Sequence, residues 1–213
     1  MVLDLGCGAG EMLEPLERFG PVVGIDASDV AVGFCRDRGA SRVLGGDAMR
    51  LPVRDASTQL VALVDTIEHL PDDERALAEA HRVLAPGGTV LVTVPAFNFL
   101  YSDNDRVAHH LRRYTAGELA GKMRAAGFEH VWTTYYNAFL FPAIVPFLML
   151  VKLKQRLFPR AAGTERTNLH LAFPRIVHRT LFALMDLEGR IARRVRLPLG
   201  HSIVALGVRA SGT

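Results

Sequence analysis

Cysteine is nearly absent: the 213 residues hold only Cys7 and Cys35. Two thiols cannot build a disulfide framework and they suit a reducing compartment, so a secreted disulfide scaffold is excluded as a class. No charged stretch followed by an apolar one opens the chain, so no export signal is read and a cytoplasmic location is expected. Internal repeats and low-complexity segments are missing as well, which removes solenoids and disordered tails. The longest uncharged apolar run, Ala138–Val151, has 14 residues and is too short to cross a bilayer comfortably. Acidic residues are scarce in one region: residues 152–213 carry 12 Lys and Arg against 3 Asp and Glu.

What is present is a hydrophobic content of 49%, enough to bury a sizeable core as one domain or one domain with a large insertion. The net charge of +3 hides the asymmetry just noted: residues 152–213 sum to +9, leaving −6 for residues 1–151. A basic section suits phosphates of lipid head groups or nucleic acid, whereas an acidic one repels them and favours a cationic ligand.

Short apolar runs alternate with segments of helical period. Val2–Leu5, Val22–Ile25, Val43–Leu44, Leu60–Val64 and Thr89–Val94 read as strands. Glu11–Phe19, Ser28–Arg38, Asp72–Leu84 and Thr115–Ala126 read as helices, with Ser28, Asp72 and Thr115 as N-caps. Gly20, Gly39, Gly87 and Gly127 are expected to stop them. This alternation predicts an α/β fold with a doubly wound, mostly parallel sheet of about seven strands. The last two strands, near His130–Tyr136 and Ser202–Val208, are expected to pair antiparallel. Residues 1–136 and 200–213 would then form one domain, with 137–199 a helical, apolar and basic insertion before the final strand.

Between the first strand and first helix lies Gly6-Cys7-Gly8-Ala9-Gly10, a turn that lets backbone approach a ligand closely. Asp4 precedes it and Glu11 follows it, so a pyrophosphate would be repelled and a sulfonium or ammonium tolerated. The second strand runs into Asp26, placed to accept both hydroxyls of an adenosine ribose. The third leads to Gly45-Gly46-Asp47-Ala48, where Asp47 can accept from an adenine amino group.

Together Val2–Leu13, Val22–Ala27, Gly45–Ala48, Gln59–Leu70 and Ala80–Val94 resemble class I, Rossmann-like S-adenosylmethionine-dependent methyltransferases of the small-molecule type called type 11. The resemblance covers residues 1–136. It implies that Gly6, Gly8 and Gly10 meet the methionine part of S-adenosylmethionine, Asp26 the ribose and Asp47 the adenine, with Asp4, Ala48 and Asp65 completing the cofactor set. Gln59 stands where the family more often has an acid, and the strand beginning at residue 2 lacks the helical segment the family usually places before it.

Methyl transfer from a sulfonium is an in-line displacement, so side chains need only align the acceptor and remove its proton. His69, in Asp65-Thr66-Ile67-Glu68-His69-Leu70 after the fourth strand, is the best-placed general base, and His109 is a second. Asp65, Glu68 and His69 also resemble the acid and histidine ligands of quinone-precursor O-methyltransferases, but no metal is assigned. In Asp103–Thr115, His110, Arg112, Arg113 and Tyr114 are read as acceptor-recognition residues, arginine suiting a carboxylate or phosphate.

Trp132, Tyr135 and Tyr136 precede the apolar run and Lys152, Lys154, Arg156 and Arg160 follow it, as in a helix lying in an anionic membrane surface. A buried cap over the site or a dimer face are the alternatives. The expected activity is methylation of a small, partly apolar acceptor, such as an isoprenoid, quinone-like or lipid-linked molecule, by a protein peripheral to the inner membrane face. The competing readings are a non-catalytic module on the same fold and a nucleic-acid methyltransferase. The fourth strand lacks the Asn/Asp-Pro-Pro-Tyr/Phe pattern of base-methylating enzymes and the basic region lacks clustered stacking aromatics, so no nucleic-acid partner is expected.

Overall fold

Short, mostly apolar runs become the buried strands. Val2–Leu5 forms β1, and all four of its residues are buried. One turn of helix follows, α1 (Leu13–Leu16), tightening to a 3-10 turn at Glu17–Phe19. A longer helix from Glu11 to Phe19 is expected from the sequence, but Met12 offers no capping side chain, so only a single turn holds before Gly20 at φ 132°. Then come β2 (Val22–Asp26), α2 (Asp29–Asp37), β3 (Val43–Gly45) and β4 (Thr58–Val64). They are followed by α3 (Asp73–Val83) and β5 (Leu84–Pro95), then α4 (Asp103–Val107), α5 (Ala116–Ala125) and β6 (Phe128–Tyr136). The order ends with α6 (Phe141–Leu157), α7 (Arg175–Ala192) and β7 (Ser202–Arg209). This computed structural model describes residues 1–157 and 175–211; Arg160 and the side chain of Arg156 lie outside what it describes.

Two of the expected caps are formed by Ser28 and Asp72. Ser28 Oγ accepts from the Ala31 amide at 3.3 Å and Asp72 Oδ1 from the Arg75 amide at 2.9 Å, each satisfying a helix-terminal donor. Gly39 and Gly127 follow α2 and α5 with φ of 89° and 97°. Gly87 is a correction. The α3 helix already ends at Val83, because Leu84 is extended and Pro86 follows two residues later; Gly87, at φ 78°, lies instead inside β5. There the register jumps from Thr58 opposite Leu84 to Leu60 opposite Thr89, so Ala85–Gly88 bulges out of the ladder.

The seven strands are ordered β3-β2-β1-β4-β5-β7-β6, mostly parallel with the last pair antiparallel, as expected. Because β1 lies between β2 and β4, the winding reverses there, and the carboxyl ends of β1 and β4 flank the switch point where ligands of such sheets bind.

The chain divides into two compact units. One is Met1–Val94, Gly117–Trp132 and Ala205–Thr213; the other is Pro95–Ala116 and Thr133–Val204, which includes the 137–199 segment expected as an insertion.

Candidate functional site

In the first unit, the carboxyl ends of the strands enclose a cleft of about 400 Å³, lined among others by Gly6, Gly8, Asp26, Asp47, Asp65 and His69. Its floor is the glycine turn. The Gly6 amide donates to the Ile25 carbonyl at 2.7 Å and the Gly10 amide to the Cys7 carbonyl at 2.8 Å, folding the turn back on itself. Gly6 has φ 71°, and a Cβ on it would lie 2.5 Å from Thr66 Cγ2, so glycine is required by both backbone and neighbour. At Gly8 (φ 51°) a Cβ would meet nothing within 4 Å, because that side of the turn faces open cleft. Gly10 is packed more tightly: at φ 82°, a Cβ on it would lie 3.0 Å from Cys35 Sγ and 3.1 Å from Leu13.

Asp26 closes β2. Its Oδ2 accepts from the Gly8 amide at 2.9 Å and its Oδ1 from the Ser28 amide at 2.8 Å. A carboxylate offers about four lone-pair sites, so two more hydrogen bonds can be accepted there. Asp47 is pinned in a similar way, Oδ1 accepting from the Met49 amide at 2.8 Å, and Ala48 beside it is buried.

Asp65, just past β4, is held at φ 48° with Thr93 Oγ1 donating to its Oδ1 at 2.9 Å. A non-glycine residue in this region is strained, a condition frequent at ligand-binding positions. Thr66 is buried and its hydroxyl donates to the Leu5 carbonyl at 2.9 Å, tying the end of β1 to the segment after β4. The sequence reading missed Thr66, and no short motif marks it: its importance comes from contact with Gly6, 60 positions away. His69 closes a 3-10 turn, Ile67–His69, and is exposed on the cleft wall.

Asp4 sits behind the turn. It is buried, its Oδ2 makes no hydrogen bond among the described residues, and burial together with the Asp26 charge pushes its pKa up to about 6. The cleft thus carries the negative charge of Asp26, Asp47 and Asp65 with no lysine or arginine among its lining residues.

The remaining candidates lie in the second unit. Ser102 and Asp105 form a capping box at the start of α4: the Ser102 amide donates to Asp105 Oδ2 at 2.7 Å. The Ser-x-x-Asp spacing is the sequence signal that would have located it. Arg113 is buried and meets Asp105 with two hydrogen bonds, Nε to Oδ1 at 2.7 Å and Nη2 to Oδ2 at 3.1 Å. His110 Nδ1 lies 3.0 Å from the same Oδ1. Burial alone would raise the Asp105 pKa, but the bonds from His110 and Arg113 hold it well below the usual carboxylate range.

Tyr114 is fully buried, and its backbone bridges Pro95 and Phe97. Arg112 is half-buried, and His109 is exposed with φ 59°. Of the four residues read as acceptor-recognising, Arg113 and His110 therefore share one buried carboxylate, and Tyr114 is enclosed by protein.

Residues 3–92 match the family described as the methyltransferase domain. The matched stretch is a methyltransferase domain of type 11. The chain is 34% identical over 134 residues to a probable S-adenosylmethionine-dependent methyltransferase of Mycolicibacterium smegmatis, a match covering 60% of this chain and 51% of that protein. It is 32% identical over 166 residues to a ubiquinone/menaquinone biosynthesis C-methyltransferase of Methylobacterium nodulans, covering 61% and 66%. The chain thus spans between half and two thirds of these relatives' length. An S-adenosylmethionine-dependent methyltransferase structure from Thermotoga maritima superposes with a TM-score of 0.62 at 21% identity, covering 98% of this chain and 81% of that one. That likeness is one of fold.

Proposed function

We propose that this chain transfers a methyl group from S-adenosylmethionine to a small, partly apolar acceptor. One observation carries the proposal: the cleft is acidic, and Asp26 is fixed by the Gly8 and Ser28 amides with acceptor capacity to spare. That set of acceptors fits an adenosyl sulfonium and disfavours a diphosphate.

Asp26 would accept from the ribose hydroxyls and Asp47 from the adenine amino group, with Ala48 against the base. Gly8 would leave space for the methionine part and the backbone of Gly6 and Gly10 would approach it, while Asp4 and Asp65 add negative charge around it. S-adenosylmethionine supplies an electrophilic methyl group on a sulfonium. The chain's own task is to hold the acceptor in line and take up the proton it releases, for which we assign His69 and His109. Acceptor recognition is assigned to the segment containing His110, Arg112, Arg113 and Tyr114, with His110 and Arg113 acting from their fixed places on Asp105.

An acceptor with an isoprenoid, quinone-like or lipid-linked portion is favoured by the apolar residues of 138–151 and by similarity to the ubiquinone/menaquinone and demethylmenaquinone methyltransferases, the latter from Staphylococcus aureus at 34% identity over 114 residues. The test is incubation of the protein with methyl-labelled S-adenosylmethionine and a lipid and metabolite extract, followed by mass spectrometry. Label in an apolar product is expected. Titration calorimetry that detects nicotinamide dinucleotide but not S-adenosylmethionine would overturn the reading, as would cofactor binding with no labelled product from any fraction.

A further inference from the structure

The polarity of α6 is inverted for a helix facing water. Among the described side chains of Phe141–Leu157 the one turned most fully inward is Leu148, and on the same side Lys152 donates its ammonium to the Phe99 carbonyl. Facing outward are Phe147, Leu150, Leu153 and Leu157, with Leu150 65% and Leu157 64% exposed. These four recur at spacings of three and four, so they form one stripe, with Lys154 within it and no acidic residue. A water-facing helix places its charges outward; an exposed apolar stripe of this size marks a surface that something covers.

We infer that the outward face of α6 seats on an anionic lipid bilayer, with the helix lying along the surface. Length excludes spanning: 17 residues extend about 25 Å, short of a hydrocarbon core of about 30 Å, and Pro146 lies within the helix. Among the described residues no helix is long and apolar enough to cross a membrane. Charge selects the occupant. α6 carries no acidic residue and exposes Lys154 with the stripe, so a second copy packed symmetrically on this face would bring lysine against lysine, whereas anionic head groups neutralise it. The stripe sinks among the acyl chains while Lys154 reaches the phosphates.

The experiment is cosedimentation of the full chain with vesicles of phosphatidylcholine alone and with about one third phosphatidylglycerol, at low and high salt, and it does not depend on methyl transfer. Binding is expected to the anionic vesicles, to fall at least tenfold in the Leu150→Glu/Leu153→Glu variant, and to weaken with salt and in Lys154→Glu. Circular dichroism and the melting midpoint show that the double variant is folded, since both side chains are exposed. Failure to bind anionic vesicles at low salt, equal binding by the folded double variant, or a concentration-dependent dimer that this variant abolishes without vesicle binding would each overturn the inference.

Discussion

The Gly8 amide donates to Oδ2 of Asp26 at 2.9 Å, so the glycine turn and the end of β2 are joined through one carboxylate. The same carboxylate is the proposed ribose acceptor. Asp26→Ala is therefore expected to weaken S-adenosylmethionine binding by about 100-fold or more, since it removes charged acceptors and frees the turn. Asp26→Asn should retain part of the affinity. Calorimetric titration of the three proteins checks the order.

Gly6 and Gly8 should respond differently to one added methyl group. Gly6→Ala drives a Cβ to 2.5 Å from Thr66 Cγ2 at positive φ, and is expected to cost about 3 kcal/mol or more in stability. Gly8→Ala has strain but no clash, about 1 kcal/mol, yet its methyl group projects into the cleft. Thermal melts should separate them in stability, and only Gly8→Ala should remain folded with poor cofactor binding.

These positions also show what could be read from the residues. The four residues of β1 coincide with the expected strand, because an apolar run beside a glycine turn is a local signal. Ser28 and Asp72 cap helices as read, for the same reason. Thr66 against Gly6 and Arg113 against Asp105 were not legible, because each depends on which distant segments the folded chain brings together. Gly87 misled because a glycine after a helical stretch suits both a helix stop and a strand bulge.

Asp4 gives a pH dependence of defined sign. Its carboxyl ionises near 3.8 when unconstrained and near 6 when folded, so the folded state binds the proton more tightly. The favourable contribution is complete below about 4 and is lost as pH rises through about 6. Asp4→Asn should consequently be more stable than the parent at pH 8, by up to about 3 kcal/mol, and the difference should vanish near pH 4. Urea melts across that range measure it.

Arg113 neutralises a buried carboxylate. Arg113→Met should cost about 3–5 kcal/mol by stranding Asp105, and adding Asp105→Asn should recover much of the loss. Asp105 has the opposite pH sense to Asp4: its contribution is present above the ordinary carboxylate range and is lost as pH falls below it. Denaturant midpoints of the single and double variants test the pairing.

His69→Ala is expected to lower kcat by a factor of roughly 10²–10⁴ with little change in cofactor affinity, if the acceptor must lose a proton. His109→Ala tests the second assignment in the same way. Single-turnover rates with the acceptor found by label transfer decide between them.

The first unit is assembled from three separate stretches, Met1–Val94, Gly117–Trp132 and Ala205–Thr213. No single cut in the gene can release it whole, and a truncation before Ala205 would remove one of its parts. Recombination that exchanged Pro95–Ala116 and Thr133–Val204 for other sequences would leave every residue lining the acidic cleft untouched. Such a layout lets one half of the gene diversify through two grafts while the other is inherited intact.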